Sequence, residues 1–235
     1  MPRRRHKPRL IRRIVRYVAV AVVAALSASI LLVLPFKWIA PPVTAFMLQD
    51  QSGRVPVLYE WNDWPTLGTG AAIAVVAAED QKFIDHFGFD LASIQNSVQQ
   101  YGDGASLRGA STITQQVAKN LYLWPGRSFL RKGIEAWLAL LIEILWSKER
   151  ILEVYLNIAE FGPGLYGVPA ASRVYFGKAS AELSDHEAAL LAAVLPSPHR
   201  LDAGAPSDYV RERQRWIVRH MERMRREGWL TRIGE

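Results

Sequence analysis

Residues 127–146 read RSFLRKGIEAWLALLIEILW, a stretch apolar almost all the way round a helical turn, with Glu135 set inside it. A helix that lacks a polar face belongs in the interior of a domain, so this stretch predicts a central buried helix. Helical patterns surround it. Ala71–Phe83 is mostly apolar, Phe89–Gln100 follows, and Gly102–Gly109 reads as a glycine-containing loop. A further helix starts near Ser111, where Thr112 and Gln115 have the spacing of a capping box, and ends before Pro125-Gly126. Lys148–Glu160, Ala170–Tyr175, Ser184–Leu195 and Pro206–Arg226 continue the pattern, and the only expected strand lies within Arg54–Trp61. The fold class is therefore mainly α.

The chain has 235 residues, half of them apolar, enough for one sizeable core and an appendage. A formal net charge of +7 points to an anionic partner, which could be nucleic acid, lipid or a phosphorylated substrate. The absence of cysteine excludes disulfides and thiolate chemistry. From Tyr17 to Phe36 run 20 residues without a charge, about the length that crosses a hydrocarbon core. Eight basic residues between Arg3 and Arg16 precede it, and none follows between Lys37 and Arg54, so the positive-inside rule keeps the tail in the cytoplasm. A cleavable signal peptide, with Ser27-Ala28-Ser29 as its cleavage site, is the competing reading; the apolar run continues past it to spanning length. The expected organisation is a cytoplasmic basic tail at 1–16, a transmembrane anchor at 17–36, a linker at 37–60 and a catalytic domain at 61–235.

Two carboxylates sit where charge is expensive. Glu79 closes the apolar run AAIAVVAA, and Glu135 lies inside the helix quoted above. Burial raises a carboxyl pKa and makes the group a better proton acceptor near neutral pH. The structural alternative is a helix-end Glu79 and a Glu135 paired with Arg131 one turn earlier. Arg127, Arg131 and Glu135 share a helix face with Lys132 beside them, and Ser111, Gln115 and Lys119 form a second stripe of the same period. Two such stripes beside a carboxylate suggest a site for a phosphate or pyrophosphate ester; routine surface ion pairs are the other reading.

At this point the residues resemble a family. Residues 79–88 (EDQKFIDHFG), 109–120 (GASTITQQVAKN), 131–135 (RKGIE), 148–157 (KERILEVYLN) with Phe161-Gly162, and 170–178 (AASRVYFGK) are similar, in order, to the five motifs of the peptidoglycan glycosyltransferases, glycosyltransferase family 51. With its single anchor the chain looks like the monofunctional biosynthetic members. The resemblance implies a lysozyme-like helical lobe and a smaller membrane-facing lobe after one transmembrane helix. It also implies roles. Glu79 would be the general base and Glu135 the second catalytic carboxylate. Lys119, Arg127, Arg131 and Lys132 would hold the pyrophosphate, while Asp80, Ser111, Thr112, Gln115, Gln116 and Asn120 would contribute to substrate binding. Glu153, Tyr155 and Asn157 would support helix packing around the site.

The expected reaction polymerises lipid II into glycan strands at the bacterial inner membrane, with the catalytic domain outside the cytoplasm. The expected partners are lipid II, the nascent glycan strand, the membrane and other cell-wall synthesis proteins including a separate transpeptidase, and no nucleic acid. No cofactor is assigned, and a divalent cation (Mg or Mn) at the pyrophosphate stays open. A lytic enzyme of lysozyme-like architecture is the rival enzyme class, but it has no pyrophosphate to hold and so no use for the basic cradle. A lipid-binding interaction protein would need neither Glu79 nor Glu135. The chain has no Ser-x-x-Lys or Lys-Thr-Gly, so no penicillin-binding domain is expected in it.

Overall fold

The computed structural model describes residues 7–53, 56–91, 111–126 and 128–234. The chain forms two units, Met1–Ile39 and Ala40–Glu235. The first carries α1, Lys7–Val33, which runs into a short 3-10 turn at Leu34–Lys37. Residues Ile11–Lys37 are long and apolar enough to cross a membrane, and side chains such as Tyr17, Val23 and Leu31 are exposed.

The second unit is mainly helical, as expected. Its described helices are α2 (Ala45–Leu48), α3 (Trp64–Leu67), α4 (Thr69–Glu79), α5 (Ile113–Tyr122), α6 (Phe129–Leu145), α7 (Lys148–Ile158), α8 (Val168–Phe176), α9 (Asp185–Val194), α10 (Asp208–Arg226) and α11 (Trp229–Ile233). A small sheet completes it: β3 (Leu165–Tyr166) lies between β1 (Leu58–Tyr59), parallel to it, and β2 (Glu160–Gly162), antiparallel to it. The expected helix Phe89–Gln100 and loop Gly102–Gly109 fall almost wholly in residues 92–110, outside the described residues.

Two helix groups build the core. α4 buries every residue from Ala71 to Ala77 and packs on α9 and α10. Both α4 and α9 are rich in alanine, which lets their backbones approach closely. α5 packs on α6 and α7, and α7 also touches α4 and so joins the groups. The C-terminal arginine-rich helix α10 is amphipathic: Val210, Ile217, Met221 and Met224 are buried on one face. That stripe seats it against α4 and α9.

The segment before β1 is fastened to this unit. The Tyr59 hydroxyl donates to Pro41 O (2.7 Å), Gln49 Nε2 to Leu123 O (3.2 Å) and the Tyr166 hydroxyl to Asp50 Oδ2 (2.7 Å).

Helix α6 departs from the expectation of burial all round. Phe129, Leu130 and Ile144 are exposed, whereas Arg131, Glu135 and Glu143 are buried. Its buried carboxylates are both partnered: Glu135 by Arg131 and Lys132 of the same helix, Glu143 by Thr114 and Lys148 of neighbouring helices.

Candidate active site

Glu79 is the last residue of α4, and the chain leaves the helix at Asp80. The two neighbours serve different places. Asp80 Oδ2 accepts the Ile113 N–H (3.0 Å) at the start of α5, and its other oxygen contacts His86 Nε2 (2.9 Å). A carboxylate at a helix N-terminus meets unsatisfied N–H groups and the positive end of the dipole. This capture also explains why the helix expected to reach Phe83 stops at Glu79.

Glu79 turns instead toward the side of α5. Its Oε2 accepts from Gln116 Nε2 (3.0 Å), and Gln116 Oε1 in turn accepts from the Tyr155 hydroxyl on α7 (3.0 Å). Burial, above all, raises the Glu79 pKa; the Gln116 hydrogen bond, Arg213 and Lys119 oppose that rise and the Asp80 charge adds to it. A carboxylate so placed is a better proton acceptor than an ordinary surface glutamate.

The start of α5 is the predicted capping box. Thr112 Oγ1 accepts from Gln115 N (3.3 Å), and Gln115 Oε1 accepts from Thr112 N (3.1 Å). The Thr112 hydroxyl also donates to Gly88 O (2.7 Å). Gly88 has φ of 75°, and a Cβ there would come within 2.9 Å of Glu143 Cγ, so the turn after the acidic pair requires glycine. Thr114 Oγ1 donates to Glu143 (2.5 Å), and Lys148 Nζ bridges Glu143 Oε1 (2.9 Å) and His86 O (2.7 Å). These bonds fix the 80–88 turn to α5, α6 and the start of α7.

Beside Glu79 opens a cleft of about 590 Å3. Its described wall comprises Ser111 just before α5, Gln115, Gln116 and Lys119 along it, Arg131, Lys132 and Glu135 on α6, and Phe46, Trp124, Pro125 and Gly126. Glu135, only 2% exposed, accepts from Arg131 Nη1 (2.7 Å) and forms a short ion pair with Lys132, whose Nζ also donates to Ser111 Oγ (3.1 Å). Lys119 Nζ lies over the Phe46 ring (5.2 Å). Burial lowers the Lys119 pKa, Glu135 and Glu79 raise it, and Arg131 and Lys132 lower it further.

The described wall thus carries three cations against one carboxylate. Arg131 Nε is buried and has no hydrogen-bond partner among the described residues. Such a surplus suits an anionic group with several oxygens.

Most of the residues marked in the sequence meet here. Glu135, Lys119, Arg131, Lys132, Ser111, Gln115 and Gln116 wall the cleft, and Glu79 is one hydrogen bond away through Gln116. Asp80 and Thr112 are buried, with their oxygens engaged at the cap, and Asn120 is buried on the same helix outside the described wall. Arg127 lies outside the described residues. Among the described residues no group of three or more His, Asp and Glu side chains is placed to hold a metal. A cation at this cleft would draw its oxygens chiefly from a bound phosphate ester.

Two residues escaped sequence reasoning. Phe46 comes from the stretch read as linker; its only signal is Thr44, whose side chain accepts from Met47 N as an N-cap. Arg213 Nη2 donates to Ala78 O (3.2 Å) and stands 3.7 Å from Glu79 Oε1. Nothing in the sequence separates it from the six other arginines of its helix.

The Transglycosylase family model matches residues 59–222. The chain is similar to proteins named biosynthetic peptidoglycan transglycosylase. That of Stutzerimonas stutzeri is 49% identical over 214 residues, 88% of each chain. That of Marinomonas sp. is 53% identical over 189 residues, 80% of this chain and 83% of the relative. That of Shewanella oneidensis is 46% identical over 229 residues, 96% of this chain and 98% of the relative.

Proposed function

The chain belongs to the transglycosylase family, and on that premise we propose that it is a membrane-anchored peptidoglycan glycosyltransferase that polymerises lipid II into linear glycan strands. The observation that carries the mechanism is the placement of a half-buried carboxylate, Glu79, next to a cleft with surplus positive charge.

The acceptor disaccharide presents its 4-hydroxyl to Glu79, which takes the proton as the oxygen attacks the anomeric carbon of the donor. The new glycosidic bond forms as the bond to the polyprenyl pyrophosphate breaks, with inversion. Negative charge then grows on the leaving pyrophosphate. Lys119, Arg131 and Lys132 meet it from the cleft wall, and Arg127, next to that wall in sequence, is assigned the same duty. Glu135 holds Arg131 and Lys132 in place, so its essential work is to aim cations. Ser111, Gln115 and Gln116 offer hydroxyl and amide groups to sugar or phosphate oxygens. Asp80 and Thr112 position α5 at its start, and Asn120 on that helix is assigned to substrate binding.

The helix at 11–37 tethers the enzyme where its lipid-linked substrate lies. The basic residues before it favour a cytoplasmic N-terminus and a catalytic unit outside. A reporter fused after the last residue should be active only outside the cytoplasm; a cytoplasmic signal would overturn this topology.

Glu79→Gln tests the mechanism. Glutamine keeps the shape and the acceptor oxygen but cannot take up the proton. Polymerisation should fall by about 10²–10⁴-fold while lipid II binding and the melting temperature hold. Near wild-type polymerisation by Glu79→Gln would transfer the role of base to Glu135.

A further inference from the structure

We infer that Arg213 is a positioning residue for the base: from α10 its guanidinium clamps the last turn of α4 and the Glu79 carboxylate together. This rests on the reading of Glu79 as the base.

The geometry supplies a reason for an arginine here. Ala78 O belongs to the last turn of α4, where carbonyls have no partner within the helix. Arg213 Nη2 donates to it at 3.2 Å. The same nitrogen stands 3.7 Å from Glu79 Oε1, too far for a hydrogen bond but close enough for a strong Coulomb interaction in a half-buried setting. The side chains are 25% and 14% exposed, so solvent screens the pair only partly.

Glu79 needs such help. Burial disfavours its charge, the neighbouring Asp80 repels it, and the C-terminal end of a helix is the wrong end for an anion. Among the described residues the groups that face it are few. α5 offers the Gln116 amide and the Lys119 cation, and α10 offers Arg213. From α7 the Tyr155 hydroxyl reaches Gln116, and burial raises its pKa well above the ordinary tyrosine value, so it brings no charge near neutral pH.

The two cations are not equivalent. Lys119 lines the cleft, and its field is taken up by the leaving group as charge develops there. Arg213 is not part of the described cleft wall, so its charge stays committed to Glu79 through the reaction. It keeps the carboxylate ready to receive a proton and holds the helix end that aims it.

The test measures kcat/KM against pH for the full chain in detergent with lipid-linked disaccharide-pentapeptide. The variants are Arg213→Gln, which keeps a donor for Ala78 O without the charge, Arg213→Met and Arg213→Lys. In the first two the acidic limb should move to higher pH, and turnover near neutral pH should fall roughly tenfold or more, as expected for loss of one opposite charge at this range. Activity should recover as the pH is raised. Arg213→Lys should fall between, since a point charge replaces the planar fork. A purely structural arginine would lower activity equally at every pH and leave the limb in place; that result, or an unchanged rate, overturns the inference. Should either uncharged variant fail to fold, the other decides by the same criterion. Glu79→Gln run alongside separates the two readings: if it polymerises normally, the base assignment falls and this inference with it. If it is inactive while the limb of the Arg213 variants stays put, only the inference falls.

Discussion

Lys119 stands where burial disfavours the charged form of a lysine, and its pKa is lowered chiefly for that reason. The sign of the stability effect follows. A folded-state pKa below the unfolded one means that the penalty is absent at high pH and sets in as the pH falls through the unfolded value of roughly 10.4, so it is present at neutral pH. Lys119→Met should therefore hold or raise the melting temperature while lowering turnover on the order of 10²–10³-fold, as for loss of one preorganised group that stabilises leaving-group charge. A variant that melts lower and polymerises normally would return Lys119 to a structural role. This residue, like Glu79 and Glu135, was legible because charge within apolar or periodic sequence announces itself. Arg213 was not, since its role depends on which turn of α10 crosses the end of α4, a fact of packing absent from local pattern.

At the level of the helices, α5 was the most legible element: Thr112 and Gln115 form the capping box that their spacing predicts. What spacing could not convey is that the same hydroxyl reaches Gly88 O and that Asp80 adds a third anchor at the helix start. Thr112→Ala should cost about 1 kcal/mol for the cap, a fall of about 2–4 °C in melting temperature for a chain of this size, and more if Gly88 O is left without a partner. Thr112→Ser, which keeps the oxygen, should melt close to wild type by circular dichroism. Equal loss in both variants would mean that the threonine methyl, not the cap, holds the turn. The inverted polarity of α6 was hidden for a related reason. Its composition is that of a buried helix, but Glu135 is buried in ion pairs with Arg131 and Lys132 of the same helix, Glu143 is buried against Thr114 and Lys148 of neighbouring helices, and Phe129 and Leu130 are left to the surface. Periodicity indicates how many faces are apolar, not which partners await the charged ones.

On the scale of the whole chain, the division at Ile39 and Ala40 separates two units of different surface character. The first unit is an apolar helix with exposed side chains, suited to lipid; the second has its own core of buried helices. Deleting residues 1–39 should consequently leave a catalytic unit that melts cooperatively within a few degrees of the full chain. Its activity should then divide by substrate presentation. With lipid II dispersed in detergent, enzyme and substrate meet in three dimensions in either case, and the truncated unit should keep most of its rate. With lipid II embedded in vesicles, the anchor confines the full-length enzyme to the surface that holds the substrate, and such tethering raises effective concentration by 10²-fold or more when the geometry permits. The truncated unit should fall behind by roughly that factor at low substrate, and the gap should close as substrate rises, because tethering changes encounter and not the chemical step. A gap that persisted at saturating substrate, or that appeared equally in detergent, would show that residues 1–39 contribute to the catalytic unit itself and not to its place in the membrane.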